Sequence, residues 1–185
     1  MPTGRDAITV RRAVISDVND EAAYRRCINS QAERTYWPGW EETRCLSVRW
    51  STYAEVCILM AIDESLPQLE IVGTVEIIGP IDARHPLPRR CLLKDVWVAE
   101  PYRCQGIATN LVLAAEEAAR EQGVAGVSLE VEGNNEPALA LYSSMGYKEV
   151  GGDSPADQLM RPFSSAVQAL PGWMRGTLLL FKELP

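Results

Sequence analysis

Apolar and polar positions alternate through residues 8–14, ITVRRAV, which predicts a first β-strand. The next stretch, SDVNDEAAYRRCINSQAERTY, carries apolar residues at helical spacing, and either Ser16 or Asp17 suits its N-cap. Residues 37–53, WPGWEETRCLSVRWSTY, hold three of the five tryptophans and read as loop with a short helix. Two apolar runs, EVCILMAID at 55–63 and EIVGTVEIIG at 70–79, predict a strand pair joined by the polar turn ESLPQL. After the proline-rich connection GPIDARHPLPRR, CLLKDVWVA at 91–99 predicts another strand.

A helix is predicted over about 106–122, with Ile107, Leu111, Val112, Ala114, Ala115 and Ala118 as its buried stripe. Gly123 suits the C′ position, and Glu116 and Arg120, four residues apart, are expected as an ion pair on the wet side. GVSLEVEG then reads as a strand, NEPALALYSSMG as a helix and YKEVGG as a short strand. A long connection over 153–175, rich in Ser and Pro, precedes the closing strand TLLLFKEL. Strands and helices alternating in this way imply an α/β or α+β sheet with helices on its faces.

The 185 residues, 46% hydrophobic, suit one domain spanning 1–185. No run approaches the roughly 18 apolar residues of a membrane span, and the polar start is unlike a secretory signal, so a soluble, cytoplasmic protein is expected. Lys and Arg number 18 against 25 Asp and Glu, a formal charge of -7, which argues against a nucleic-acid partner. Five widely spaced cysteines (Cys27, Cys45, Cys57, Cys91 and Cys104) form no Cys-x-x-Cys pair, so reduced, packed thiols are expected and no metal site. The single histidine, His85, lies in a proline-rich connection with no evident nucleophile beside it.

The stretch YRCQGIATNLV, residues 102–112, places Arg103, Gly106 and Ala108 at the entrance to the apolar helix. The first amides of a helix lack internal partners and sit at the positive end of its dipole, which makes an anion site suited to phosphate. Gly106 allows close approach by the backbone, and Arg103 adds charge or anchors the loop. Taken alone, the fragment serves equally well as a tight strand-to-helix connection. It is neither a Walker loop nor G-x-G-x-x-G.

The flanks extend the pattern. DVWVAEPYRCQGIATNLV, followed by LEVEGNNEPALALYSSMGYKEVG, resembles the GNAT superfamily of acyl-CoA N-acyltransferases over residues 92–151. The family's Arg/Gln-x-x-Gly-x-Gly/Ala is matched by Arg103, Gly106 and Ala108. Its Asn-x-x-Ala-x-x-Leu-Tyr-x-x-x-Gly-Phe/Tyr is matched by Asn135, Ala138, Leu141, Tyr142, Gly146 and Tyr147. Residues 8–79 agree only in their order of elements.

The resemblance implies a mixed, mostly antiparallel sheet of six or seven strands with about four helices, splayed at a V-shaped acyl-CoA cleft between LLKDVWV and SLEVE. Backbone groups of Val96, Trp97 and Val98 would pair with the pantetheine arm of acetyl-CoA. The amides of Cys104, Gln105, Gly106, Ile107, Ala108 and Thr109 would wrap its pyrophosphate, so that Cys104 contributes backbone and not a covalent route. Asn135 would contact the cofactor arm, although it also suits a helix N-cap, a role that Asn134 could take instead. Tyr142 would be the general acid that protonates the leaving thiolate; the alternative is a core aromatic. Glu130 resembles the glutamate that serves as base in N-terminal alanine acetyltransferases of the family, with Glu132 and Asp95 as other carboxylates. Elsewhere in the superfamily the base stands where this chain has Leu92, so deprotonation through water stays open.

Acceptor choice in the superfamily comes from segments matching 30–53 and 151–176. The first holds Tyr36, Trp37, Trp40, Trp50 and Tyr53 around Glu41 and Glu42, a set that suits an ammonium ligand. The same residues could cap the core or form a homodimer contact. The resemblance implies direct, metal-free transfer of an acetyl group from acetyl-CoA to the primary amine of a small molecule. The rivals are a peptide or protein N-terminal or lysine acetyltransferase and a non-catalytic acyl-CoA sensor.

Overall fold

The computed structural model describes residues 7–14, 16–31, 56–81, 89–150 and 177–185. The aromatic segment 37–53 with its expected short helix, the connection with His85, Cys45 and the segment 151–176 therefore lie outside the described residues. In chain order the elements are β1 (Ile8–Arg12), α1 (Val18–Gln31), β2 (Val56–Asp63), β3 (Ile71–Ile81), β4 (Arg90–Val98), a 3-10 turn (Glu100–Tyr102), α2 (Ile107–Glu121), β5 (Gly126–Glu132), α3 (Glu136–Ser144), β6 (Lys148–Glu149) and β7 (Thr177–Glu183). The seven strands make one mixed, mostly antiparallel sheet in the order β1-β2-β3-β4-β5-β7-β6. Three α-helices stand among the described residues, against about four expected.

By its internal contacts the chain divides into two compact units, Met1–Ile78 with Asp95–Ala115 and Gly79–Lys94 with Glu116–Pro185. In the first unit α1 lays Ala23, Tyr24, Cys27 and Ile28 on Ile58, Met60 and Ile62 of β2. Helical spacing on one side meets period-two spacing on the other, and a dry core results. Asp17 caps α1, its Oδ1 accepting from the amides of Asn19 at 2.7 Å and Asp20 at 3.3 Å. Asp20 itself is buried and accepts from both terminal nitrogens of Arg11, which holds its carboxyl below the usual range. Gly73 of β3 marks a close approach: a Cβ there would stand 2.9 Å from Leu111 Cδ1 and 3.0 Å from the Trp97 carbonyl.

In the second unit β4 pairs in parallel with β5 over Arg90–Leu93 and Gly126–Leu129, whereas β5 pairs antiparallel with β7 along its whole length to Glu132. Val127, Leu129 and Val131 are buried, as are Ala118 and Ala119 of α2. Gly126 lies against the Phe181 ring, leaving no room for a side chain. Gly123 follows α2 with φ +65°, the left-handed conformation expected of a C′ glycine.

One surface expectation is overturned here. Glu116, expected on the wet side of the helix, is fully buried. Its two carboxylate oxygens each accept from Lys182 Nζ of β7 at 2.8 Å, and Arg120 stands 3.7 Å away. The buried carboxylate is thus matched by a cation 66 residues away in sequence.

Candidate active site

The residues after β4 form a tight backbone turn within the first unit. Ala99 donates to the Val72 carbonyl at 2.9 Å, Tyr102 to Ala99 at 2.9 Å and Arg103 to Glu100 at 3.2 Å. Cys104 and Gly106 then adopt left-handed backbone, φ +58° and +84°. The chain thereby reverses into α2, whose Asn110 amide donates to the Gly106 carbonyl at 3.0 Å. The amides of Ile107, Ala108 and Thr109 precede that bond and have no carbonyl four residues back within the helix. A Cβ built on Gly106 would meet nothing within 4 Å, so the space beside its α-carbon is open.

Side chains hold this turn locally. Arg103 Nε donates to the Val98 carbonyl at 3.1 Å, and Gln105 Nε2 to the Pro101 carbonyl at 3.0 Å. Arg103 therefore anchors the loop, one of the two roles expected of it. Ile107 is buried, whereas Arg103, Cys104 and Gly106 are exposed. Left-handed backbone at a residue with a side chain costs about 1–2 kcal/mol, and residue type gave no warning of it at Cys104. Upstream, Val96, Trp97 and Val98 are half-buried, and Asp95 in mid-strand also has positive φ, +51°, with its carbonyl 3.5 Å from Thr74 Oγ1.

The remaining expected residues belong to the second unit. Glu130 and Glu132 of β5 are exposed on either side of buried Val131, and Leu92 is half-buried. Asn135 caps α3, its Oδ1 accepting from the Ala138 amide at 3.3 Å, with Pro137 in the first turn. Two helical turns later Tyr142 is buried, and loss of hydration pushes its phenol up to about 12. Its ring meets Tyr147 edge-on, centroids 5.7 Å apart at 64°, and the Tyr147 amide donates to the Tyr142 carbonyl at 3.0 Å.

Tyr147 links Tyr142 to the buried ion pair. Lys182 Nζ lies 5.6 Å from the Tyr147 ring centroid while it holds Glu116. The Tyr147 hydroxyl is buried with no hydrogen bond among the described residues, and burial, reinforced by the Glu116 charge, pushes its phenol well above the ordinary range. Sequence reading found Tyr142 and Tyr147 through the motif but not Lys182, whose role depends on a contact across β7. Among the described residues no group of three His, Cys, Asp or Glu side chains could hold a metal ion, and no helix is long and apolar enough to cross a membrane.

Comparison with known proteins gives the chain its family. A model of the acetyltransferase (GNAT) family matches residues 24–147. The uncharacterized N-acetyltransferase YycN of Bacillus subtilis is 33% identical over 84 residues, 45% of this chain and 52% of that protein. Streptothricin acetyltransferase of Streptomyces lavendulae is 38% identical over 66 residues, 36% of this chain and 35% of that protein. This chain thus spans about half the length of the first relative and about a third of the second. The NatC complex bound to Gag peptide and CoA shares the fold, with a TM-score of 0.65 and 18% identity over 96% of this chain and 99% of that one. With two-thirds of its length matched by the family model, the chain belongs to the acetyltransferase (GNAT) family.

Proposed function

We propose that the protein is an N-acetyltransferase that moves the acetyl group of acetyl-CoA directly onto a primary amine of a small molecule. The observation that carries the reading is the turn at 103–109. Cys104 and Gly106 have left-handed backbone, the space beside the Gly106 α-carbon is open, and the first amides of α2 that follow lack helical acceptors. A diphosphate fits that chemistry, because it satisfies several amides at once and sits at the positive end of the helix dipole. In this reading the amides of Cys104, Gln105, Gly106, Ile107, Ala108 and Thr109 hold the diphosphate beside Arg103. The backbone of Val96, Trp97 and Val98 holds the pantetheine arm, and Asn135 adds a further contact.

Acetyl-CoA supplies an activated thioester carbonyl. Glu130 takes a proton from the acceptor ammonium, because only a neutral amine attacks and an alkyl amine is mostly protonated near pH 7. A nitrogen–carbon bond forms, the carbon–sulfur bond breaks, Tyr142 gives its proton to the departing sulfur, and the surplus proton shed by the nitrogen as the amide forms restores the phenol. Burial suits Tyr142 to that task, since a phenol raised to about 12 keeps its proton throughout the physiological range. The small-molecule reading of the acceptor is supported by the similarity to streptothricin acetyltransferase.

The test follows free-thiol release from acetyl-CoA across antibiotics, polyamines, amino acids and short peptides. Release that depends on a small amine is the expected outcome. Release with peptides alone would overturn the acceptor class, and acetyl-CoA binding without release by any amine would point to a sensor.

A further inference from the structure

Resting on the reading of residues 103–109 as a diphosphate loop, we infer that Asp63 and Tyr102 are a positioning pair that sets this loop before acetyl-CoA arrives. Tyr102 closes the 3-10 turn and directly precedes Arg103; its hydroxyl donates to Asp63 Oδ2 at 2.9 Å. Asp63 is the last residue of β2 and is buried. Its other oxygen, Oδ1, accepts from the Ser65 amide at 2.9 Å and from Ser65 Oγ at 2.6 Å. Its own amide donates to the Glu70 carbonyl at 3.2 Å. The carboxylate is thus immobilised by its own hairpin, and its free oxygen is presented to Tyr102.

The pair matters because the 3-10 turn buries none of its residues, so side-chain packing in the core does not hold it. The Gln105 clip stays within the turn, while Arg103 holds Val98 at the end of β4 and the Ala99 amide holds Val72 of β3, both where the turn leaves its strand. The Tyr102 bond spans 39 residues and ties the turn to a strand of the sheet. Three hydrogen bonds hold Asp63 below the ordinary carboxylate range, and the neighbouring carboxylate keeps the Tyr102 phenol above its own. Acceptor and donor therefore keep their protonation states across physiological pH. A loop fixed in this way loses less freedom on binding than one that must be ordered by its ligand.

Neither residue touches the reacting atoms, so the expected signature is a split between binding and turnover. Tyr102→Phe removes one oxygen and keeps the ring. It should weaken CoA binding, measured by calorimetry without an acceptor, about five- to tenfold, and raise the KM for acetyl-CoA in parallel. Turnover at saturation should stay within about twofold. Asp63→Asn should shift CoA affinity in the same direction. Thr9→Val, which removes the nearby bond from Thr9 Oγ1 to Glu64 at 2.8 Å, should leave it unchanged. A Tyr102→Phe protein that binds CoA like the parent, or loses turnover with CoA affinity intact, would overturn the pair. Gly106→Val separates the two ideas: if it too leaves CoA affinity intact, the diphosphate loop itself is wrong. If it alone weakens binding, the loop stands and the positioning pair falls.

Discussion

Around Gly106 what counts is backbone, and most of the bonds that shape it join residues three to five apart in the chain, with Ala99–Val72 and Tyr102–Asp63 as its long-range ties. Around Tyr142 what counts is side chain: Tyr147 five residues on, then Lys182 and Glu116 from β7 and α2. The first region is largely exposed and the second buried. An amide donates whatever side chain it carries, so the loop tolerates most substitutions that respect its dihedrals. A buried carboxylate does not, because its charge needs a specific cation. Changes in the loop should therefore register first as ligand affinity, and changes near Tyr142 first as stability or turnover.

The largest effect tests the buried side of that contrast. Lys182→Met leaves Glu116 buried with Arg120, 3.7 Å away, as its remaining cation among the described residues, and should cost about 3 kcal/mol in denaturant unfolding. Combining it with Glu116→Leu removes both charges and should recover most of the loss. A double variant as unstable as the single would mean that packing, not the unpaired charge, sets the cost.

Next comes Tyr142→Phe, which should lower turnover about a hundredfold while CoA affinity stays unchanged. An unchanged rate would remove Tyr142 from the chemistry and leave it a core aromatic. Its raised pKa fixes the sign of the pH dependence. The phenol is neutral when protonated, so its donor capacity and its share of stability are complete below about pH 10, the ordinary value. Both are lost only as pH rises through about 12. A rate that falls between pH 7 and 9 would belong to a group other than Tyr142.

Gly106→Val tests the exposed side. Space is no obstacle, since a Cβ there meets nothing within 4 Å, but φ +84° is strained for a β-branched residue. The expected stability cost is about 1–2 kcal/mol, with CoA binding at least tenfold weaker. Intact affinity would show that the turn at Gly106 holds no diphosphate.

The same contrast explains what could be read from the chain alone. The strands, the stripe through Ile107, Leu111, Val112, Ala115 and Ala118, the C′ glycine at 123 and the turn at Gly106 are written in neighbouring residues, and the structure has them; Ala114, also expected in the stripe, is only half-buried. Glu116 misled because a helical period pairs it with Arg120 on one face. The buried face of α2 is wider than that stripe, however, and takes in Ala119 as well as Glu116. Nothing near Glu116 in sequence announces Lys182, and nothing near Tyr102 announces Asp63. Left-handed backbone at Asp95 and Cys104 was equally hidden, since neither is a glycine.

The smallest effect falls on a residue whose two expected roles overlap. Asn135 caps α3 through its side chain, and the same side chain is the proposed contact to the cofactor arm. Asn135→Ala should cost about 1 kcal/mol of stability by removing the cap, and should also weaken CoA binding. Serine caps a helix about as well as asparagine but offers no amide. Asn135→Ser should therefore restore the stability and not the affinity, read by thermal melting and calorimetry on the same samples. If serine restores both, capping is the whole of the residue's role, and the arm contact passes to backbone alone.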